Sequence, residues 1–211
     1  MQIKLNLDSL ILAAGESNRM GEDKALLSIN KQSFLEQIIH KVSVFSDNII
    51  VVTGQNHESV QKWISQFSIF KQKCTILFNQ DHKLGMFSSI RKGLQKVDPH
   101  KYVLLQMVDQ PFIPQEIYWK LLKNIEDKYY VIQPAHKVEE NIRWGHPLIL
   151  SPQFLKVVLT SDLKKNLNEI IRNYSHKRKA VMVKTDLIFH NINTPQDLEN
   201  IKKRLNYGNP T

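Results

Sequence analysis

The chain has 211 residues, 42% of them hydrophobic and 23% charged, which suits a globular core and excludes wholesale disorder. A single cysteine, Cys74, excludes an intramolecular disulfide framework and a cysteine-rich zinc site and fits a reducing, cytoplasmic home. The net charge of +9 admits nucleic acid, an anionic membrane face or a polyphosphate as partner, or merely a lysine-rich surface, and no uncharged apolar run reaches the ~18–20 residues of a membrane span.

The first 14 residues loosely mimic a signal peptide, but Asp8 interrupts the apolar stretch. Leu7–Ala13 is therefore read as a buried first strand. A helical stripe of Phe34, Leu35, Ile38, Ile39, Val42 and Phe45 follows, opened by a capping box of Ser33 with Glu36. Ile49–Thr53 is a β-branched strand, followed by a helix through Val60, Trp63, Ile64 and Phe67. Cys74–Phe78 is a third strand, and a helix is expected over about 88–96. Residues 102–108 are almost continuously apolar, as in a central parallel strand covered on both faces. Pro114 marks the first turn of a helix carrying Ile117, Trp119, Leu121 and Leu122. Trp63 and Trp119 are expected in the core. Further strands are expected at 129–133, 147–150, 180–184 and 187–190, with a helix at 163–174. A last helix takes Thr194 as cap and Pro195 at its first position, and buries Leu198, Ile201 and Leu205. Alternating strands and helices predict one α/β domain over 1–211, with a mostly parallel, Rossmann-like sheet, helices on both faces and a loose tail at 206–211.

The first strand runs into Leu12-Ala13-Ala14-Gly15-Glu16-Ser17-Asn18-Arg19-Met20-Gly21, with Lys24 shortly after. In an open parallel sheet, ligands sit beyond the carboxyl ends of the strands. Two glycines and small residues let backbone N–H groups approach an anion, and Arg19 and Lys24 add positive charge. The bend is neither a Walker loop nor a dinucleotide fingerprint, because the glycine spacing is wrong for both. It reads equally as an ordinary strand-to-helix loop or as a triphosphate cradle. Asp109 ends the most apolar strand. It is either a cap for the next turn or a carboxylate that a divalent ion would neutralise.

The run from Leu12 to Gly21 resembles the L-A-A-G-x-S-x-R-M-G signature of the MobA-like NTP transferases, with Lys24 where that family carries its lysine. Four further segments resemble the molybdenum cofactor cytidylyltransferase branch: Asn79 with Gly85-Met86, Ser89 and Gly93-Leu94; Val108-Asp109-Gln110-Pro111; Gly145-His146-Pro147; and Asn191-Ile192-Asn193-Thr194-Pro195. They follow one another in the family's order from residue 7 to about 205.

The resemblance implies the nucleotide-diphospho-sugar transferase type of three-layer fold and a nucleotidyl transfer in which an acceptor phosphate attacks the α-phosphorus of an NTP. It assigns Lys24, Arg19 and Asp109 to catalysis. Leu12, Ala13, Ala14, Gly15, Asn79, Gly85 and Ser89 fall to nucleotide binding, and Gly145, His146 and Pro147 to the acceptor. Mg²⁺ would sit on Asp109 and Asn193; the family carries aspartate at the second position, so the asparagine offers a neutral oxygen there. Ser89 reads alternatively as a helix cap, Asn193 with Thr194 as capping residues, and His146 as a solvated loop histidine. Arg143 and Trp144 could hold a flat, anionic acceptor by charge and stacking. The implied substrates are CTP, with GTP less favoured, and a molybdopterin-type acceptor; a sugar or polyol phosphate is the alternative acceptor. A cofactor-receiving molybdoenzyme would be the partner, with no nucleic acid and no membrane. A non-catalytic nucleotide-binding accessory protein is the alternative from another class.

Overall fold

The computed structural model describes residues 6–15, 20 and 22–207. The chain order is β1 (Leu7–Ala13), β2 (Ser28–Ile29), β3 (Gln32–Ser33), α1 (Phe34–Ser43), β4 (Ile49–Thr53), α2 (His57–Ser65), α3 (Ser68–Lys73), β5 (Cys74–Phe78) and α4 (Met86–Leu94). It continues through β6 (Tyr102–Met107), α5 (Gln115–Leu122), β7 (Val131–Val138), β8 (Asn141–Trp144), β9 (Leu148–Leu150), α6 (Pro152–Thr160), α7 (Leu167–Asn173), β10 (Arg178–Met182) and α8 (Pro195–Tyr207).

The main sheet has the order β10-β7-β9-β6-β1-β4-β5, with β8 added to β7. β1 is parallel to both neighbours, Leu12 pairing with Met107 on one side and Val52 on the other. The chain winds away from β1 in both directions, which makes its carboxyl end the switch point where open α/β sheets hold ligands. β9 runs antiparallel to β6 and β7. The mixed, mostly parallel sheet is the predicted architecture.

Every residue of β1 is buried, as expected of a central strand with helices on both faces. Its side chains alternate: Leu7 and Ile11 pack with Leu35, Ile38 and Ile39 of α1 and with Leu121 of α5. Leu10 and Leu12 pack with Ile90 and Leu94 of α4 and with Phe154 and Leu155 of α6. The capping box of Ser33 and Glu36 opens α1 as its sequence pattern predicts. No helix among the described residues is long and apolar enough to cross a membrane.

Several expectations are corrected. Residues 187–190 form no strand; Leu187–Phe189 is a 3₁₀ turn, with Phe189 N donating to Asp186 O at 2.9 Å. The helix expected through Phe67 is two helices, with Phe67 at the boundary in extended backbone. Trp119 is 39% exposed, with an edge-on ring contact to Phe45. Leu205 is also exposed. α8 continues through Tyr207, past the predicted start of the tail, and residues 208–211 lie outside the described residues.

Candidate active site

The site grows from the carboxyl end of β1. Ala13 and Ala14 are buried there, and Gly15 opens the bend. Arg19, with residues 16–18 and Gly21, lies outside the described residues. The segment that returns after the bend is pinned by Asp23. Its Oδ1 accepts from Ala25 N at 3.0 Å and from Asn56 Nδ2 at 2.9 Å. Asn56 Nδ2 also donates to Ala13 O at 3.1 Å, so the turn after β4 ties β1 to the segment that carries Lys24. Lys24 Nζ donates to Asn193 Oδ1 at 2.7 Å.

Asp109 follows the end of β6. Its Oδ1 is sealed from solvent and has no hydrogen-bond partner among the described residues. Burial pushes its carboxyl above the ordinary value of 3.8, and the Lys24 charge partly offsets that rise. The Asp109 backbone oxygen accepts from Ile192 N at 2.8 Å, and Gln110 Nε2 donates to Asn191 Oδ1 at 2.6 Å. These bonds bring the segment before α8 alongside β6. The capping alternative for Asn193 is resolved by its neighbour. Thr194 Oγ1 accepts from Asp197 N at 3.1 Å while Asp197 Oδ2 accepts from Thr194 N at 2.8 Å, so Thr194 caps α8 and the Asn193 side chain turns to Lys24.

Leu12, Ala13, Ala14, Gly15, Lys24, Gly85, Ser89 and Asp109 line one cleft of about 430 Å³. The sequence motifs named all of these. The cleft also takes Met86 and Val108, which the motif segments contain without an assigned role, and Asp23, Ala25, His82, Lys83 and Met107, which were given none; His82 and Lys83 stand between the Asn79 and Gly85 of a named segment. Gly85 has φ +101°, a region that favours glycine, and it turns the chain into α4. Ser89 lies inside α4 and so does not cap it. Asn79 sits behind the cleft wall, 2% exposed, with Nδ2 donating to Ser88 Oγ and Ser89 Oγ, both at 2.9 Å.

Gly145, His146 and Pro147 do not line this cleft. Gly145 N donates to Pro134 O at 2.9 Å and His146 N to Ile188 O at 3.0 Å, which packs them against the 3₁₀ turn. His146 is not a solvated loop histidine: its Nδ1 is sealed without a partner among the described residues, and burial pushes its pKa down to about 4. Arg143 lies over the Phe189 ring, 4.6 Å from its centroid, and Arg178 stacks on Trp144 at 3.3 Å. Both residues suggested for a flat acceptor are thus engaged within the chain.

Among curated relatives, the chain is 27% identical over 199 residues to a molybdenum cofactor cytidylyltransferase of Escherichia coli, covering 94% of this chain and 96% of that one. It is 26% identical to a probable molybdenum cofactor guanylyltransferase of Natranaerobius thermophilus, covering 95% and 97%. Among solved structures, a nucleotidyl transfer enzyme from Methanothermobacter superposes with a TM-score of 0.76 at 20% identity, over 96% of this chain and 99% of that one. The 4-diphosphocytidyl-2C-methyl-D-erythritol synthase of Anaerococcus prevotii superposes with a TM-score of 0.74 at 18% identity, over 96% and 97%. These two likenesses establish the shared fold. Residues 9–180 match the MobA-like NTP transferase domain, and the chain belongs to that family.

Proposed function

We propose that the protein, acting as one cytoplasmic domain, transfers CMP from CTP to the phosphate of a molybdopterin-type cofactor. An oxygen of the acceptor phosphate forms a bond to the α-phosphorus, the bond from that phosphorus to the bridging oxygen breaks, and pyrophosphate leaves with the electron pair. The reading is carried by one observation. The glycine-bearing bend, Lys24 and the unpartnered Oδ1 of Asp109 share a single cleft at the switch point of the sheet.

Backbone N–H groups at the bend suit the phosphates of the triphosphate. Lys24 brings positive charge to the α-phosphate, where negative charge builds up during transfer. Arg19 is assigned to the β- and γ-phosphates by the family pattern. Asp109 suits a hard cation, because an ion would satisfy a buried carboxylate oxygen that has no partner among the described residues. Mg²⁺ relies largely on substrate phosphates and water, so a single carboxylate suits it. Bound there by Asp109 and Asn193, Mg²⁺ would supply charge neutralisation at the phosphates. The antiparallel β9 starts beside the carboxyl end of β6, Leu148 pairing with Leu105, so Gly145, His146 and Pro147 approach the Asp109 edge of the sheet and suit the acceptor's border. Preference for CTP rests on Leu-Ala-Ala-Gly at residues 12–15 and on the cytidylyltransferase among the relatives. A molybdoenzyme that accepts the finished cofactor is the expected partner.

The test is pyrophosphate release with each NTP, Mg²⁺ and either a molybdopterin-type or a sugar phosphate acceptor. CTP with the molybdopterin acceptor is expected to give the fastest release. Nucleotide binding without turnover on any acceptor would replace the transferase reading with that of an accessory binding protein.

A further inference from the structure

The cleft contains one imidazole that the transfer described above does not use. His82 lines it together with Lys83, Gly85 and Met86. The sheet order sets the side on which it lies. β4 and β5 flank β1 on one side and β6 on the other, so the segment after β5 faces Asp109 from across the Gly15 bend. With the phosphates placed near Lys24 and Asp109 as proposed above, the part of the cleft left for a base is the His82 side.

The ring is wedged. A Cβ on Gly54, just after β4, would lie 2.9 Å from His82 Cγ, 3.0 Å from His82 Cδ2 and 2.9 Å from Ala14 O. Only glycine at 54 leaves the slot that the imidazole occupies. On its other side His82 Nδ1 sits 3.1 Å from Asn79 O. A backbone carbonyl only accepts, so Nδ1 carries the hydrogen. Nε2 makes no hydrogen bond to any described residue. In the neutral ring it is therefore a lone-pair acceptor with a fixed tautomer. Asn79 is in turn immobilised by Ser88 and Ser89, which keeps the Nδ1 anchor in place.

We propose that His82 reads the base: Nε2 accepts a hydrogen bond from the exocyclic amino group of the bound nucleotide and so selects an amino-bearing base over one that lacks this donor. Cytosine presents a donor at C4. Uracil presents an oxygen there, which would face the Nε2 lone pair. Because the Nδ1 hydrogen is committed to Asn79, the ring cannot switch tautomer to welcome uracil without giving up that bond. A site built to accept a hydrogen bond discriminates more strongly than one built on shape alone. The inference depends on the transfer reading only for where the phosphates lie.

The test compares wild type with His82→Leu and His82→Gln on CTP against UTP, and on GTP against ITP, which lacks the 2-amino group. Two readouts are taken: kcat/KM for pyrophosphate release, and nucleotide Kd by calorimetry without acceptor. Wild type is expected to favour the amino-bearing member of its preferred pair by about tenfold or more. His82→Leu should bring that ratio close to one, by loss on the amino-bearing nucleotide and by relief of the lone-pair repulsion on UTP. Far-UV circular dichroism and the melting temperature of each variant serve as the control for folding. His82→Gln, which keeps an acceptor oxygen, should recover part of the ratio. A ratio untouched by His82→Leu, or an equal loss on both members of the pair, overturns the proposal. Selective binding that depends on His82 without any turnover upholds it while sinking the transferase reading. Turnover with a ratio indifferent to residue 82 does the reverse.

Discussion

Two aspartates lie at opposite ends of the same pair of central strands. Asp8, near the amino end of β1, is 1% exposed and fully provided for. Its Oδ1 accepts from Asn48 N at 3.2 Å, Asn48 Nδ2 at 3.0 Å and Lys101 Nζ at 3.2 Å. Asp109, after the carboxyl end of β6, has an oxygen equally sealed and without a partner. Burial alone does not mark a functional carboxylate, since folding routinely buries one and surrounds it with donors. The difference lies in what has been left unsatisfied. At the amino end of β1 the chain completes its own network, and at the carboxyl end of β6 it leaves an acceptor that no described residue satisfies.

The largest expected effect sharpens this contrast. Asp109→Asn should lower kcat/KM for pyrophosphate release by about 10³-fold, the scale of losing a central electrostatic contact to a reacting phosphate. In the absence of nucleotide and metal the same variant should hold or gain stability, by about 1 kcal/mol. The sign follows from the raised carboxyl: its folded-state value lies above 3.8, so its stabilising effect is present at low pH and lost as pH rises through that raised value. At a pH above that raised value the ionised form burdens the fold, and asparagine removes the burden. Near-normal turnover, or a clear loss of thermal stability, would erase the distinction between the two aspartates. Lys24→Ala should cost about 10²–10³ in kcat with the melting temperature little changed. A fall in melting temperature with kcat intact would make Lys24 a structural cation like Lys101. Asp8→Asn is the mirror case. It should lose about 2–3 kcal/mol, read by urea titration, with kcat/KM unchanged in the folded protein, because Lys101 keeps only Asp47, 2.8 Å away, as an ionised partner.

What the sequence made legible follows the same division. β1, β4 and β5 carry their predicted bounds, most directly β4, whose five consecutive buried residues Ile-Ile-Val-Val-Thr leave little room for another period. α6 escaped although its signals were present: Ser151 as cap, Pro152 in the first turn, and Phe154, Leu155 and Val158 on one face. β8 offered no such signal, since Asn141 to Arg143 are exposed and the strand exists only through pairing with β7. The β2–β3 hairpin turns through Asn30 and Lys31 at φ 52° and 69°, and nothing in a lysine announces that conformation. Leu187 to Phe189 looked like a strand because a short apolar run has no readable period. In the site, the motif residues Leu12 to Gly15, Lys24, Gly85, Ser89 and Asp109 fold into one cleft, whereas Asn79, Gly145, His146 and Pro147 do not line it. The motifs did not reveal His82, whose placement depends on Gly54 and on a carbonyl of Asn79, contacts that no local pattern encodes.

The smallest expected effect concerns the residue that joins the two arguments. Asn193 Oδ1 accepts from Lys24 while its neighbour Thr194 caps α8, so the side chain is spent on Lys24 rather than on the helix. An amide oxygen has two lone pairs and can serve Lys24 and a cation together, but it adds no charge beside Asp109. Asn193→Asp adds that charge without changing size. Two pulls then compete, the new carboxylate binding Mg²⁺ directly and pairing with Lys24. Both draw positive charge towards Asp109, so the Mg²⁺ concentration at half-maximal rate should fall by about threefold, with kcat within a factor of about three because Lys24 is held more firmly. A Mg²⁺ titration of pyrophosphate release decides it. A rise in the Mg²⁺ required would show that Asn193 serves Lys24 alone, and the unpartnered oxygen of Asp109 would then face the ion with no help from the segment before α8.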